Sequence, residues 1–202
     1  PDSILNGKTA YEYRKNFGVQ LAKEDDIEAD IVVPVPDSGN AAALGYAQEK
    51  KLPFDLGLIR NHYVGRTFIE PSQKIRSLGV KLKLNANLSV IKDKRIILID
   101  DSLVRGTTSH KIVKMLYNAG AKDVHVRIAS PEIKFPDFYG VDMPTKKELL
   151  AANNSVKEIC NFINAKSLKY LSIDGLYKAM GFDKRNNIYP QLTDHYFTGE
   201  YP

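Results

Sequence analysis

Twelve residues, Ile97-Leu98-Ile99-Asp100-Asp101-Ser102-Leu103-Val104-Arg105-Gly106-Thr107-Thr108, place two adjacent carboxylates and three hydroxyls around a Gly-Thr-Thr turn. An apolar strand ending in paired acids and turning into a helix presents free N–H groups at that helix start. Ser102, Thr107 and Thr108 add hydroxyl donors, and together these groups make a cradle for a phosphate dianion. Asp100 and Asp101 cannot share the cradle with an anion, so they point to sugar hydroxyls or a Mg²⁺ ion beside it. The pattern holds a phosphorylated sugar at both ends. The plainer reading, a strand-terminal acid pair capping the next turn, leaves Gly-Thr-Thr as coincidence.

A second constellation, Val33-Pro-Val-Pro-Asp-Ser-Gly39, ends another β-branched run. Alone it reads equally well as a ligand-binding loop at a strand's carboxyl end or as a plain helix-opening turn. Arg60, Arg66, Lys74, Arg76, Lys81 and Lys83 follow in one stretch opposed only by Glu70. That stretch has no helical period and few interleaved aromatics, so it fits a loop that meets phosphate better than a nucleic-acid reader. His62, His110, His125 and His195 show no ligand spacing and are assigned surface or structural roles, and Cys160, beside Ile159 and Phe162, is assigned to core packing.

The elements that must position these groups follow from periodicity. Residues 9–24 read as a helix with Ala10, Tyr13, Phe17 and Leu21 on one face and Thr9 as N-cap. Residues 31–36 read as a buried strand, 39–50 as an Ala-rich helix and 54–59 as a second strand. Residues 60–92 show no clean period and contain Gly65, Pro71 and Gly79; a loop that long in a compact domain marks a lid or disorder. Arg95–Asp101 is the strongest strand, Gly106–Asn118 the helix behind it and Asp123–Ala129 the next strand. Alternating strands and helices predict an α/β fold with a mostly parallel central sheet flanked by helices, whose ligands sit at the carboxyl ends of strands. Short helices follow at 146–152, 156–164 and 173–180, with Ser155 and Ser172 as caps, and 181–202 reads as loop. The predicted division is a core over 1–145, with its lid at about 60–92, and a C-terminal helical extension over 146–202.

Composition bounds the rest. The 202 residues are 43% apolar and 26% charged, which suits one soluble domain with a small appendage. One cysteine excludes an internal disulfide or a multi-thiolate site from this chain, and no apolar run is long enough to span a membrane. The expected location is cytoplasmic. The net charge of +5 suits either nucleic acid or a phosphate-rich small substrate. The chain opens on Pro1-Asp2-Ser3 and closes on Tyr201-Pro202, which reads as a piece of a longer protein.

The Asp100–Thr108 run resembles the phosphoribosyl pyrophosphate (PRPP) motif of type I phosphoribosyltransferases. More narrowly, Val33–Gly39, Tyr63–Ile69, Lys83–Asn87, Asp101–Ser109 and Phe138–Pro144 resemble the amidophosphoribosyltransferase family over essentially the whole chain, as that family's phosphoribosyltransferase half without its N-terminal glutaminase. The resemblance implies formation of 5-phosphoribosylamine and pyrophosphate from PRPP and ammonia, in purine synthesis, with Mg²⁺. It assigns Asp100 and Asp101 to the ribose hydroxyls and the metal, and Ser102, Val104, Arg105, Gly106, Thr107 and Thr108 to the 5-phosphate. Asp37, Ser38 and Gly39 match its pyrophosphate loop, with Ser38 also a metal candidate. Arg66 and Lys83 belong to the lid and stabilise leaving-group charge as catalytic residues beside Asp100 and Asp101. Thr67, Phe68, Ile69 and Leu149 line the family's ammonia channel, although for Leu149 plain helix-core packing fits equally.

Some members carry an iron–sulfur cluster on four cysteines. Here Asp137 precedes Phe138-Tyr-Gly and His195 precedes Tyr-Phe-Thr-Gly-Glu-Tyr-Pro, which implies the cluster-free type. The resemblance further implies a homo-oligomer with purine nucleotides as feedback inhibitors; from the residue pattern, no membrane or nucleic-acid partner is expected. The alternative is a PRPP-sensing regulator that keeps the motif and binds nucleic acid; against it, no helix-turn-helix text is present.

Overall fold

Strands that are apolar on both faces need helices on both sides of a parallel sheet. The computed structural model, which describes residues 2–61, 84–139 and 145–201, has this arrangement. In chain order its elements are β1 (Ile4–Leu5), β2 (Lys8–Thr9), α1 (Ala10–Lys23), β3 (Ile31–Pro34), α2 (Asn40–Lys50), β4 (Leu58–Arg60), β5 (Leu84–Ala86) and α3 (Leu88–Ile91). There follow β6 (Arg95–Asp100), α4 (Thr107–Asn118), β7 (Asp123–Ile128), a 3₁₀ turn (Lys146–Glu148), α5 (Leu150–Asn153), α6 (Val156–Phe162), β8 (Ser167–Tyr170), α7 (Ile173–Ala179) and α8 (His195–Thr198). Strands β3, β6, β7 and β8 form one sheet in that order, every pair parallel.

Alternation along the strands divides the core in two. Val33, Ile96, Leu98, Val124 and Val126 face Ile112, Val113 and Leu116 of α4 and Ile159 of α6. Val32, Ile97 and Ile99 face Leu21 of α1 and Ala42, Ala43 and Tyr46 of α2. Burying each large aliphatic side chain contributes about 1.5–3 kcal/mol. Helices α1 and α2 meet closely enough that a Cβ on Gly18 would lie 1.8 Å from the Ala42 carbonyl oxygen, and one on Gly45 2.0 Å from that of Lys15. Only glycine fits there.

The caps are those expected. Thr9 Oγ1 accepts from the Glu12 N–H while Glu12 Oε2 accepts from the Thr9 N–H, and Ser155 with Glu158 repeats the arrangement at α6. Ser172 accepts from the Gly175 N–H at the start of α7.

Four expectations are corrected. The strand read at 54–59 is a single bridge from Phe54 to Val32, followed by β4, which pairs antiparallel with β5 outside the main sheet. Most of the proposed 60–92 lid, residues 62–83, lies outside the described residues, but 84–92 holds β5 and α3, because Leu84 and Ile91 are drawn into the core. The C-terminal extension, read as short helices with 165–172 left between them, supplies β8 in that gap, a four-residue edge strand too short to stand out by periodicity. Residues 181–202 include the short helix α8.

Candidate functional site

Strand β6 delivers Asp100 to its carboxyl end, where the Ala129 N–H on β7's side donates to the Asp100 carbonyl at 2.9 Å. Asp100 Oδ1 accepts from the Asp101 N–H, and Asp101 Oδ1 accepts from the Ser102 N–H, each at 2.9 Å. The two acids thus brace the turn that follows them, so the capping role weighed from sequence is real, but it coexists with a helix start beyond. Burial, and then the negative charge of Asp101, push the Asp100 carboxyl well above the usual carboxylate range. Two crowded acids with that conflict between them fit a divalent cation, which removes it.

Gly106 has φ +71°, the left-handed conformation that turns the chain into α4. The first intrahelical bond, from the His110 N–H to the Gly106 carbonyl, leaves the preceding N–H groups of the first turn to face an anion.

The second loop is brought alongside. Pro34 pairs with Ile99, and the Val35 N–H donates to the Ile99 carbonyl at 2.8 Å, so Asp37–Gly39 sits at the carboxyl end of the strand beside Asp100. Adjacent strands lie about 4.8 Å apart, which is the scale of a sugar ring between the loops. The Pro36–Asp37 peptide is cis. The Gly39 N–H donates to the Val35 carbonyl at 2.9 Å, and a Cβ on Gly39 would lie 2.5 Å from the Ile99 carbonyl oxygen. Gly39→Ala must therefore push this loop off β6. The expected result is at least a tenfold weaker hold on diphosphate, read by calorimetry with pyrophosphate and Mg²⁺.

Asp37 is also paired with the Arg60 guanidinium from the end of β4. Arg60 was read only as part of a basic stretch; its link to Asp37 depends on the antiparallel β4–β5 pair, which no periodicity announces. Leu149 is fully buried, and its neighbour Leu150 donates its N–H to the Val104 carbonyl at 2.9 Å, which puts this segment behind the phosphate loop. Asp37, Ser38, Gly39, Asp100, Asp101, Ser102, Val104, Arg105, Gly106, Thr107 and Thr108 therefore follow the carboxyl ends of two neighbouring strands, on one side of the sheet's end. Arg66, Thr67, Phe68, Ile69 and Lys83 lie outside the described residues.

Elsewhere, Cys160 is only partly buried and donates its Sγ–H to the Ala165 carbonyl at 3.3 Å, so it closes the end of α6 rather than filling the core expected for it. His195 is buried, with its Nε2 2.6 Å from Asp137 Oδ1, a structural link across the chain. No helix among the described residues is long and apolar enough to cross a membrane.

The family model described as "Phosphoribosyl transferase domain" matches residues 3–132. The chain is 59% identical over 203 residues to an amidophosphoribosyltransferase of Rhizobium etli, covering all of this chain and 41% of that protein. It is 50% identical over 202 residues to an amidophosphoribosyltransferase of Staphylococcus aureus, again covering all of this chain and 41% of the other. A solved structure of glutamine phosphoribosylpyrophosphate amidotransferase from B. subtilis, complexed with ADP and GMP, superposes with a TM-score of 0.88 at 49% identity, over 100% of this chain and 44% of that one. The chain spans about two fifths of the length of these relatives. The fold is the expected one, an α/β sheet of the type I phosphoribosyltransferase kind.

Proposed function

This chain belongs to the phosphoribosyl transferase domain family, and on that premise we propose that it is the phosphoribosyltransferase part of an amidophosphoribosyltransferase, making 5-phosphoribosylamine and pyrophosphate from PRPP and ammonia. The carrying observation is the placement of Asp100 and Asp101 directly before the Gly106 helix start, with the Asp37–Gly39 loop on the neighbouring strand. The first turn of α4 takes the 5-phosphate, the acids take the ribose hydroxyls, and the Asp37–Gly39 loop takes the diphosphate.

In the reaction the bond from the anomeric carbon to diphosphate breaks and a bond from ammonia nitrogen to that carbon forms; the surplus proton on nitrogen leaves to solvent. Positive charge grows on the sugar and negative charge on the leaving group. No protein nucleophile is needed. Asp100 and Asp101, with Ser38 as a further candidate, would hold Mg²⁺, which supplies charge neutralisation for the diphosphate. The carboxylates fix the ribose and favour the positive charge that develops on it. Arg66 and Lys83 are proposed to close over the diphosphate, and Thr67, Phe68, Ile69 and Leu149 to line the ammonia route from a glutaminase part. Purine nucleotides are proposed as regulators, a reading supported by the B. subtilis relative's complex with ADP and GMP.

The test is pyrophosphate release from PRPP with Mg²⁺ and either ammonia, glutamine or a free purine base. Release with ammonia, abolished by EDTA and not replaced by glutamine or a base, is expected. Release driven by a base but not by ammonia would assign a different transferase, and a failure to bind PRPP would refute the site.

A further inference from the structure

We propose that Glu148 and Leu150 form a clamp on the phosphate loop and that Glu148 is a positioning residue for Arg105. The proposal rests on the reading of Ser102–Thr108 as the phosphate cradle and adds a pair of residues that sequence reasoning did not reach.

Two residues of one short segment meet three consecutive residues of the loop. The Glu148 carboxylate pairs with Arg105, Oε1 to Nε at 3.3 Å. The Leu150 N–H donates to the Val104 carbonyl at 2.9 Å. The Leu150 side chain closes over Gly106 so tightly that a Cβ there would lie 2.6 Å from Leu150 Cδ2. One short segment thus holds the charge, the backbone and the glycine of a continuous loop.

The segment is itself anchored. Asn153 Nδ2 donates to the carbonyls of Lys146 and Leu149, each at 2.8 Å, and Asn154 Nδ2 donates to that of Leu150 at 2.9 Å. Ala151 and the fully buried Leu149 root it in the core. A second support comes from α6, where Phe162 also packs on Gly106 and its carbonyl lies 2.8 Å from His110 Nδ1 on α4. Helix-start N–H groups recognise an anion only when their directions are held, because a loop that must be ordered on binding loses that ordering free energy from its affinity. Arg105 is a long, half-exposed side chain, and a carboxylate beside it selects which way the guanidinium is presented.

The experiment is a double-mutant cycle on ribose 5-phosphate binding, measured by calorimetry with Mg²⁺ for the wild type, Arg105→Ala, Glu148→Ala and the double variant. Glu148→Ala is expected to weaken binding about three- to fivefold, the scale of an exposed ion pair. The double variant should bind no more weakly than Arg105→Ala alone, since Glu148 acts through Arg105. Steady-state kinetics should show the loss in KM for PRPP, with kcat within about twofold and an unchanged melting temperature. Fully additive losses, or a Glu148→Ala variant that binds like the wild type, overturn the clamp alone. A wild type that binds no ribose 5-phosphate overturns both the clamp and the site beneath it.

Discussion

Asp101→Asn should lower kcat/KM for PRPP by about 10²- to 10³-fold, the cost of deleting one preorganised charge from a site whose transition state carries charge. Asparagine keeps the oxygen that accepts from the Ser102 N–H at 2.9 Å, so the turn into the cradle survives and the charge is what is lost. Stability should move the other way. Burial and the Asp101 charge together hold the Asp100 carboxyl well above its usual range, so the ligand-free fold carries a repulsion that the asparagine relieves. The melting temperature of the variant without Mg²⁺ should equal or exceed that of the wild type, whereas added Mg²⁺ should raise the melting temperature of the wild type and leave the variant nearly unmoved. Such opposition between stability and activity marks residues kept for chemistry. Activity within threefold of the wild type would remove Asp101 from the site, and a fall in melting temperature without Mg²⁺ would show that its charge does not burden the ligand-free fold.

The acid pair and its cradle were legible because their chemistry is written consecutively. Strand, acids, glycine and hydroxyls occupy Ile97–Thr108, and the helix that follows needs only a left-handed Gly106 to begin. The Asp37–Gly39 loop was legible only in company, since its partnership with Asp100 is made by the parallel pairing of Pro34 with Ile99, a contact between residues 65 positions apart in sequence. What escaped the reading depends on tertiary contact. Strand β8 is Ser-Leu-Lys-Tyr, which becomes a strand because β7 offers it a free edge. Arg60 joins the site because β4 turns back on β5, and Glu148 because the segment after the 3₁₀ turn docks behind Val104–Gly106.

Strand β7 misleads in another way. Asp123-Val-His-Val-Arg-Ile128 alternates as if His125 and Arg127 faced water, but both faces of a parallel sheet are covered, and both side chains are buried. The second large effect follows from that. Asp25, just beyond α1, pairs with Arg127, and both are almost completely buried. Tyr46 of α2 donates its hydroxyl to Asp25 Oδ2 at 2.6 Å, and Arg127 Nη1 reaches Ser167 Oγ of β8 at 2.9 Å. Asp25→Asn strands the Arg127 charge in the core and should cost about 3–5 kcal/mol, a large part of the 5–15 kcal/mol that holds a typical domain.

Burial pushes the Asp25 carboxyl up, but the hydrogen bonds from Arg127 and Tyr46 outweigh it and leave the group below its usual range. A depressed carboxyl contributes stability above its unfolded value, near pH 4, and loses it as pH falls through the folded value. Urea unfolding of the wild type should therefore weaken below about pH 4 by an increment that Asp25→Asn lacks. The double variant Asp25→Leu with Arg127→Met should recover most of the stability at pH 7, because an apolar pair leaves no charge unmatched. If Asp25→Asn costs under about 1 kcal/mol, water has reached the pair and the network is not a dry one. If the double variant is no better than the single, the link from Arg127 to Ser167 matters more than the charge balance: the network would then serve chiefly to hold edge strand β8, with Tyr170 in register beside Ile128 and Asp100, on the sheet that carries the site.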